Sequence, residues 1–132
     1  MATKSGAIFD HSFKAENDLS SNQYYFVEYS GVDQVDVCDA AADRAIGVLQ
    51  NKPVANAAAQ VRLLGISMVV SDGSGTAIVA GDHIGPGATG KAVKKATADY
   101  SVAGIAMDAS TTNGAVIRVL MIPINWFRTS GG

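Results

Sequence analysis

The stretch Gly85-Pro-Gly-Ala-Thr-Gly90-Lys91 has the Gly-x4-Gly-Lys spacing of a loop that cradles phosphates with backbone N–H groups and a lysine. That chemistry needs Ser or Thr next, to hold magnesium, and a helix opening behind the loop. Ala92 stands there instead, and Lys91-Ala-Val-Lys-Lys95 alternates like a strand with Val93 inward and the lysines outward, so a hairpin turn is expected. His83 beside Asp82 has the makings of an acid–base pair. No Ser or Cys in a nucleophile context accompanies it, and a surface turn histidine is the simpler reading. One Cys with two distant histidines, His11 and His83, does not suggest a structural zinc site.

The remaining charged groups read the same way. Cys38 closes the alternating run Val35-Asp36-Val37-Cys38, which suits a small strand side chain. Asp33, Asp36, Asp39 and Asp43 alternate with apolar residues, as on a solvated strand face. Lys91, Lys94 and Lys95 form a small basic patch without interleaved aromatics, too weak to argue nucleic-acid binding. Arg62 and Arg118 either point outward at strand starts, the preferred reading, or pair with a carboxylate such as Asp43 or Asp99. No catalytic, cofactor or metal site emerges.

The elements that carry these residues are strands. AQVRLLGISMVV, residues 59–70, and AVIRVLMI, residues 115–122, are both rich in Val, Ile and Leu. Laid side by side they match Arg62 with Arg118 and Leu64 with Leu120. The likeness extends further: Val37 matches Val93, Ala42-Asp43 matches Ala98-Asp99, and Ile46-Gly47-Val48 matches Ala103-Gly104-Ile105. Two copies of a small β unit, each ending in a long buried strand, give about eight strands, near the number that closes a small barrel. Gly47, Gly65 and Gly104 inside strand patterns mark bends. One helical turn, Ala-rich and capped by Asp39, fits residues 39–44, and YYFVEY at 24–29 predicts an aromatic strand.

The expected organisation is an N-terminal arm over 1–18, a barrel over 19–124 and a tail over 125–132. The arm carries Ile8, Phe9 and Phe13 without a regular period, and it either docks on a partner or folds back on its own barrel. Trp126 and Phe127 either cap the barrel or pack between protomers. The 132 residues are 48% hydrophobic and 17% charged, with fourteen Gly against three Pro, which suits one all-β domain with tight turns. A net charge of −2 argues against nucleic acid or an anionic membrane as a partner, and the apolar runs are too short to span a bilayer as helices. The N-terminus lacks the apolar core of a signal peptide, and the single Cys38 fits synthesis in a reducing cytoplasm.

Four segments together resemble a known family: Ala80-Gly81-Asp82-His83-Ile84, Gly-Lys-Ala-Val-Lys-Lys-Ala (90–96), Ala-Gly-Ile-Ala-Met-Asp-Ala (103–109) and Gly-Ala-Val-Ile-Arg-Val-Leu (114–120). With Ala-Ile-Gly-Val-Leu-Gln-Asn (45–51) they are similar to the head-decoration, or capsid cement, proteins of tailed bacteriophages, over roughly residues 19–122. The resemblance implies a β-barrel or β-tulip domain, usually a homotrimer, on the outer surface of the virion. There it would bridge major capsid protein subunits and reinforce the expanded head, with no catalytic residues and no cofactor. Ile8, Phe9 and Phe13 are then candidate capsid anchors. The alternatives are another virion barrel, such as a head-fibre base or tail component, and a small ligand-binding barrel using His83 and Asp82.

Overall fold

Runs rich in β-branched and aromatic residues, cut by Gly, Asp and Asn turns, form nine strands among the described residues. The computed structural model describes residues 7–96 and 101–127, with side chains over 9–96 and 101–122. In chain order the strands are β1 (Ala7–Ala15), β2 (Phe26–Gly31), β3 (Gln34–Val37), β4 (Gly47–Leu49), β5 (Ala58–Asp72), β6 (His83–Pro86), β7 (Ala92–Lys94), β8 (Ser101–Ala106) and β9 (Asn113–Phe127). The all-β barrel expectation holds, and no helix occurs among the described residues.

The strands close two five-membered rings. The order β1-β3-β2-β4-β5 returns to its start through β1–β5 pairing, and β5-β7-β6-β8-β9 returns through β5–β9 pairing. Strand β5 belongs to both: residues 58–65 face β1, residues 65–72 face β9, and the hand-over falls at Gly65, whose φ of 111° suits only glycine. Each ring fills itself with alternate side chains. Phe13, Ala15, Val27, Val35, Leu49 and Val61 make the first core, and Val69, Ile84, Ala92, Ala106, Ile117 and Val119 belong to the second. Phe26 and Val48 of the first ring lie in the second core as well, so the rings are packed together. Each fully buried large side chain contributes about 1.5–3 kcal/mol.

The duplication is exact in topology and shifted in sequence. Val27↔Gly47 and Val27↔Val37 of the first ring correspond to Ile84↔Gly104 and Ile84↔Lys94 of the second. The parallel pair Ala15↔Val35 corresponds to Ser71↔Ala92, which makes β1 the counterpart of the second half of β5. A Cβ on Gly47 would lie 2.3 Å from the carbonyl oxygen of Arg62 and 2.7 Å from Val61 Cγ1. One on Gly104 would lie 2.4 Å from that of Leu120 and 2.7 Å from Val119 Cγ1. Arg62 therefore matches Leu120, two positions beyond Arg118, and the two arginines are not equivalent. Val37 likewise matches Lys94 rather than Val93, and Ala98 and Asp99 lie outside the described residues.

Both arginines alternate with buried neighbours (Val61; Ile117 and Val119) and so lie on the outward side of their strands, as preferred. They are also ion-paired, with other carboxylates than those named. Arg62 Nε is 2.9 Å from Asp10 Oδ1, with side chains 12% and 19% exposed. Arg118 NH2 is 2.7 Å from Asp108 Oδ1 at a more open site. Asp43 is instead committed to its own turn, where Oδ2 accepts from the N–H of Asp39 and of Ala40, both at 2.9 Å. The turn at 39–44 thus exists without helix, and its cap is Asp43 rather than Asp39.

Half of the expected arm is barrel wall. Residues 7–15 are β1, and Phe13 is 6% exposed, so at those positions the segment folds back on its own barrel. At the other end β9 continues to Phe127, beyond the expected boundary at 124. Strand β2 starts later than YYFVEY suggests because Tyr24 adopts φ 69°, with its N–H on Leu49 O and its carbonyl accepting from Val70 N. The β6–β7 hairpin over the Gly-rich stretch forms as expected, with Gly90 at φ 83°.

Candidate functional site

Alternation along β1 sends Phe9, His11 and Phe13 to one side, with Asp10, Ser12 and Lys14 between them. The three rings step inward: Phe9 and His11 centroids are 6.4 Å apart, His11 and Phe13 4.8 Å, and Phe13 meets Tyr29 of β2 edge-on at 5.5 Å. Phe9 at 52% and Tyr29 at 58% stand in solvent while Phe13 anchors the row in the first core. Of the three candidate anchors, then, Phe9 is exposed, Phe13 is core, and the side chain of Ile8 lies outside the described residues.

Behind Tyr29 a cleft of about 230 Å³ opens where the two rings meet, lined by Ile46, Leu63, Ala103, Met121 and Ile122 as well as Tyr29. Its lining is drawn from both rings and is mostly apolar, so it could accept one large apolar side chain. The backbones of Trp126 and Phe127 pair with Val102 and Ser101 of β8, and their side chains lie outside the described residues. The outward side of the β5–β9 ladder adds exposed Met68, Val116 and Leu120.

The charged residues around the Gly-rich hairpin are dispersed into structural roles. Asp82 holds its turn, with Oδ2 accepting from Val79 N at 2.9 Å and Oδ1 3.7 Å from Lys94 Nζ. The three lysines do not make a patch. Lys91 Nζ donates to Asn113 Oδ1 at 2.8 Å, Lys94 faces Asp82, and Lys95 is buried at 2% exposure with Nζ donating to Ala41 O at 2.8 Å. Ala92, not Val93, is the fully buried residue of β7. Lys95 is the counterpart of Cys38: Lys95 N–H binds His83 O as Cys38 N–H binds Phe26 O. Burial lowers the ammonium's pKa.

One cluster was not legible in advance. Glu28 of β2, Cys38 after β3 and Asp43 of the following turn bring their ligand atoms within 4.8 Å of one another. Desolvation first, and the Asp43 carboxylate second, push Glu28 up to about 7. Burial pushes the Cys38 thiol far above its ordinary range. Desolvation pulls the Asp43 carboxyl upward, but the backbone donors of Asp39 and Ala40, together with side-chain hydrogen bonds with Glu28 and Asp39, hold it below the usual carboxylate range. The acidic string is therefore not a uniform solvated face: Asp36 accepts from Asn17 Nδ2 at 3.0 Å, while Asp43 turns toward Glu28.

A comparison with curated proteins finds no match. Among solved structures, the chain is similar to the crystal structure of the head fiber gp8.5 N base in bacteriophage phi29. The TM-score is 0.65 at 20% identity, covering 89% of this chain and 97% of that one, which is a likeness of fold. The family model for phage cement protein matches residues 3–121. With that match spanning both rings, the chain belongs to the phage cement protein family.

Proposed function

We propose that this virion structural protein binds the outer surface of a phage capsid, bridges neighbouring major capsid protein subunits and stabilises the expanded head. It acts as a homotrimer, without catalysis, cofactor, nucleic acid or membrane. The observation that carries the reading is the cement-family match over 3–121. The exposed Phe9, and the exposed Tyr29 that lines the inter-ring cleft, supply the kind of anchor such docking needs, since aromatic side chains dominate interface energetics. Ile8 shares β1 with Phe9, and Trp126 and Phe127 sit at the far end of β9, where they serve contacts between protomers or cap the barrel. Many identical weak contacts over a shell add by avidity.

The test is co-sedimentation of the purified protein with expanded empty capsids of its own phage, together with the temperature at which those capsids open. Saturable binding and a raised opening temperature are expected, and no binding at micromolar protein defeats the reading. The fold likeness to a head-fibre base favours a second reading, in which the barrel seats a fibre on the head. That reading predicts a second virion protein retained with the chain when heads are gently dissociated.

A further inference from the structure

Cys38 is 1% exposed, and its Sγ has no hydrogen-bond partner among the described residues. It is aimed between the carboxyl groups of Glu28 and Asp43, with all three ligand atoms inside 4.8 Å. Two carboxyl groups and a thiol packed this closely must share protons as they stand, because three anions in a half-buried pocket repel one another. Asp43 is preset by the two backbone donors at 2.9 Å, which orient its carboxylate from the turn side. The buried Lys95, whose stem lies over Gly85 and whose Nζ is fixed on Ala41 O, supplies one positive charge at the edge of the cluster.

The geometry points to a binding site for a zinc-like divalent cation, held by Cys38 Sγ and one oxygen each of Glu28 and Asp43. The charges close: a thiolate, two carboxylates and a divalent ion sum to −1, which the Lys95 ammonium neutralises. One sulfur with two oxygens is a borderline-soft ligand set, suited to zinc with a water in the fourth tetrahedral position. Magnesium and calcium, which take six or more oxygens, are poorly served. Metal–ligand bonds of about 2.0–2.3 Å require the three atoms to draw closer by side-chain rotation. On binding, the protons of the thiol and of the carboxyl pair leave to solvent. The ion would join β2, the end of β3 and the 39–44 turn, and the turn is already tied to the second ring through Lys95. It would thus brace the joint between the rings, a role independent of capsid docking.

The test uses the full chain without an affinity tag, stripped with EDTA and titrated with Co²⁺. A thiolate-to-cobalt charge-transfer band in the near ultraviolet is expected, displaced by Zn²⁺, and Zn²⁺ alone should raise Tm. Cys38→Ser should abolish the band, and Glu28→Gln should weaken binding at least about tenfold. The glutamine keeps the size of the half-buried side chain, so this arm decides even where Cys38→Ser fails to fold. Absence of the band at millimolar Co²⁺ overturns the proposal. So does Zn²⁺ stabilisation that survives in Glu28→Gln undiminished.

Discussion

Arg62 on β5 and Asp10 on β1, fifty-two positions apart, form a two-pronged ion pair: Nε to Oδ1 at 2.9 Å and NH2 to Oδ2 at 3.2 Å. The third prong, NH1, donates to Ile66 O at 3.0 Å, so the guanidinium spans the strand pair that closes the first ring. Arg62→Ala leaves Asp10 half-buried and unpaired, and a loss of about 1–3 kcal/mol is expected. Chemical denaturation of Arg62→Ala, Asp10→Ala and the double variant measures it. If the single losses simply add, the pair is not coupled.

The two inner glycines, Gly47 and Gly104, should not tolerate a side chain. Gly47→Ala and Gly104→Ala each press a methyl into a neighbouring carbonyl at 2.3 and 2.4 Å, and each should cost about 1–3 kcal/mol or more. Gly75→Ala, with nothing within 4 Å of the added carbon, serves as the control. Equal Tm values for Gly47→Ala and Gly75→Ala would contradict the close approach.

Phe9 and Phe13 should separate binding from stability. Phe13→Ala empties a core site and should cost about 3–5 kcal/mol. Phe9→Ala should change stability by no more than about 0.5 kcal/mol while weakening capsid co-sedimentation. A Phe9 variant that binds capsids as well as the parent removes that residue from the docking surface.

Acid should loosen the second ring through Asp108. Hydrogen bonds from the Arg118 side chain, then its backbone N–H, hold the carboxyl at about 2 against an ordinary 3.8. A lowered folded value means the unfolded chain takes up protons first as pH falls. The stabilisation is therefore full above about 4 and is lost as pH falls toward 2. The pair is well exposed, so the effect is small. Calorimetry from pH 2 to 5 should give Asp108→Asn a shallower acid slope than the parent. Parallel slopes would mean the pair contributes nothing.

Much of this architecture can be read from residues alone. The hairpin at 85–91, the long strands and the pairing of Gly47 with Gly104 follow from strand alternation and from what only glycine tolerates. The match of Arg62 to Arg118 misled because a slip of two residues keeps every side chain on its own face of a strand. Runs of Val, Leu and Ile cannot tell one such alignment from the next. Strand β1 did carry a signal, the alternation of Phe9, His11, Phe13 and Ala15 with polar residues, masked by a histidine in an apolar row. The cluster of Glu28, Cys38 and Asp43 had none. It is assembled by the β2–β3 hairpin and the turn that follows, and chain order does not announce which of five nearby acids will meet.

Because β5 runs through both rings, the two rings are joined by one continuous strand. A load taken up at the aromatic row of β1 passes through the β1–β5 ladder into one covalent strand, across Gly65, and out through the β5–β9 ladder. Ladders whose hydrogen bonds lie across the pull share it along their length, and fifteen residues of β5 give each ring half a strand to share it over. Two barrels that share a strand in this way should stretch, and fail, as one body.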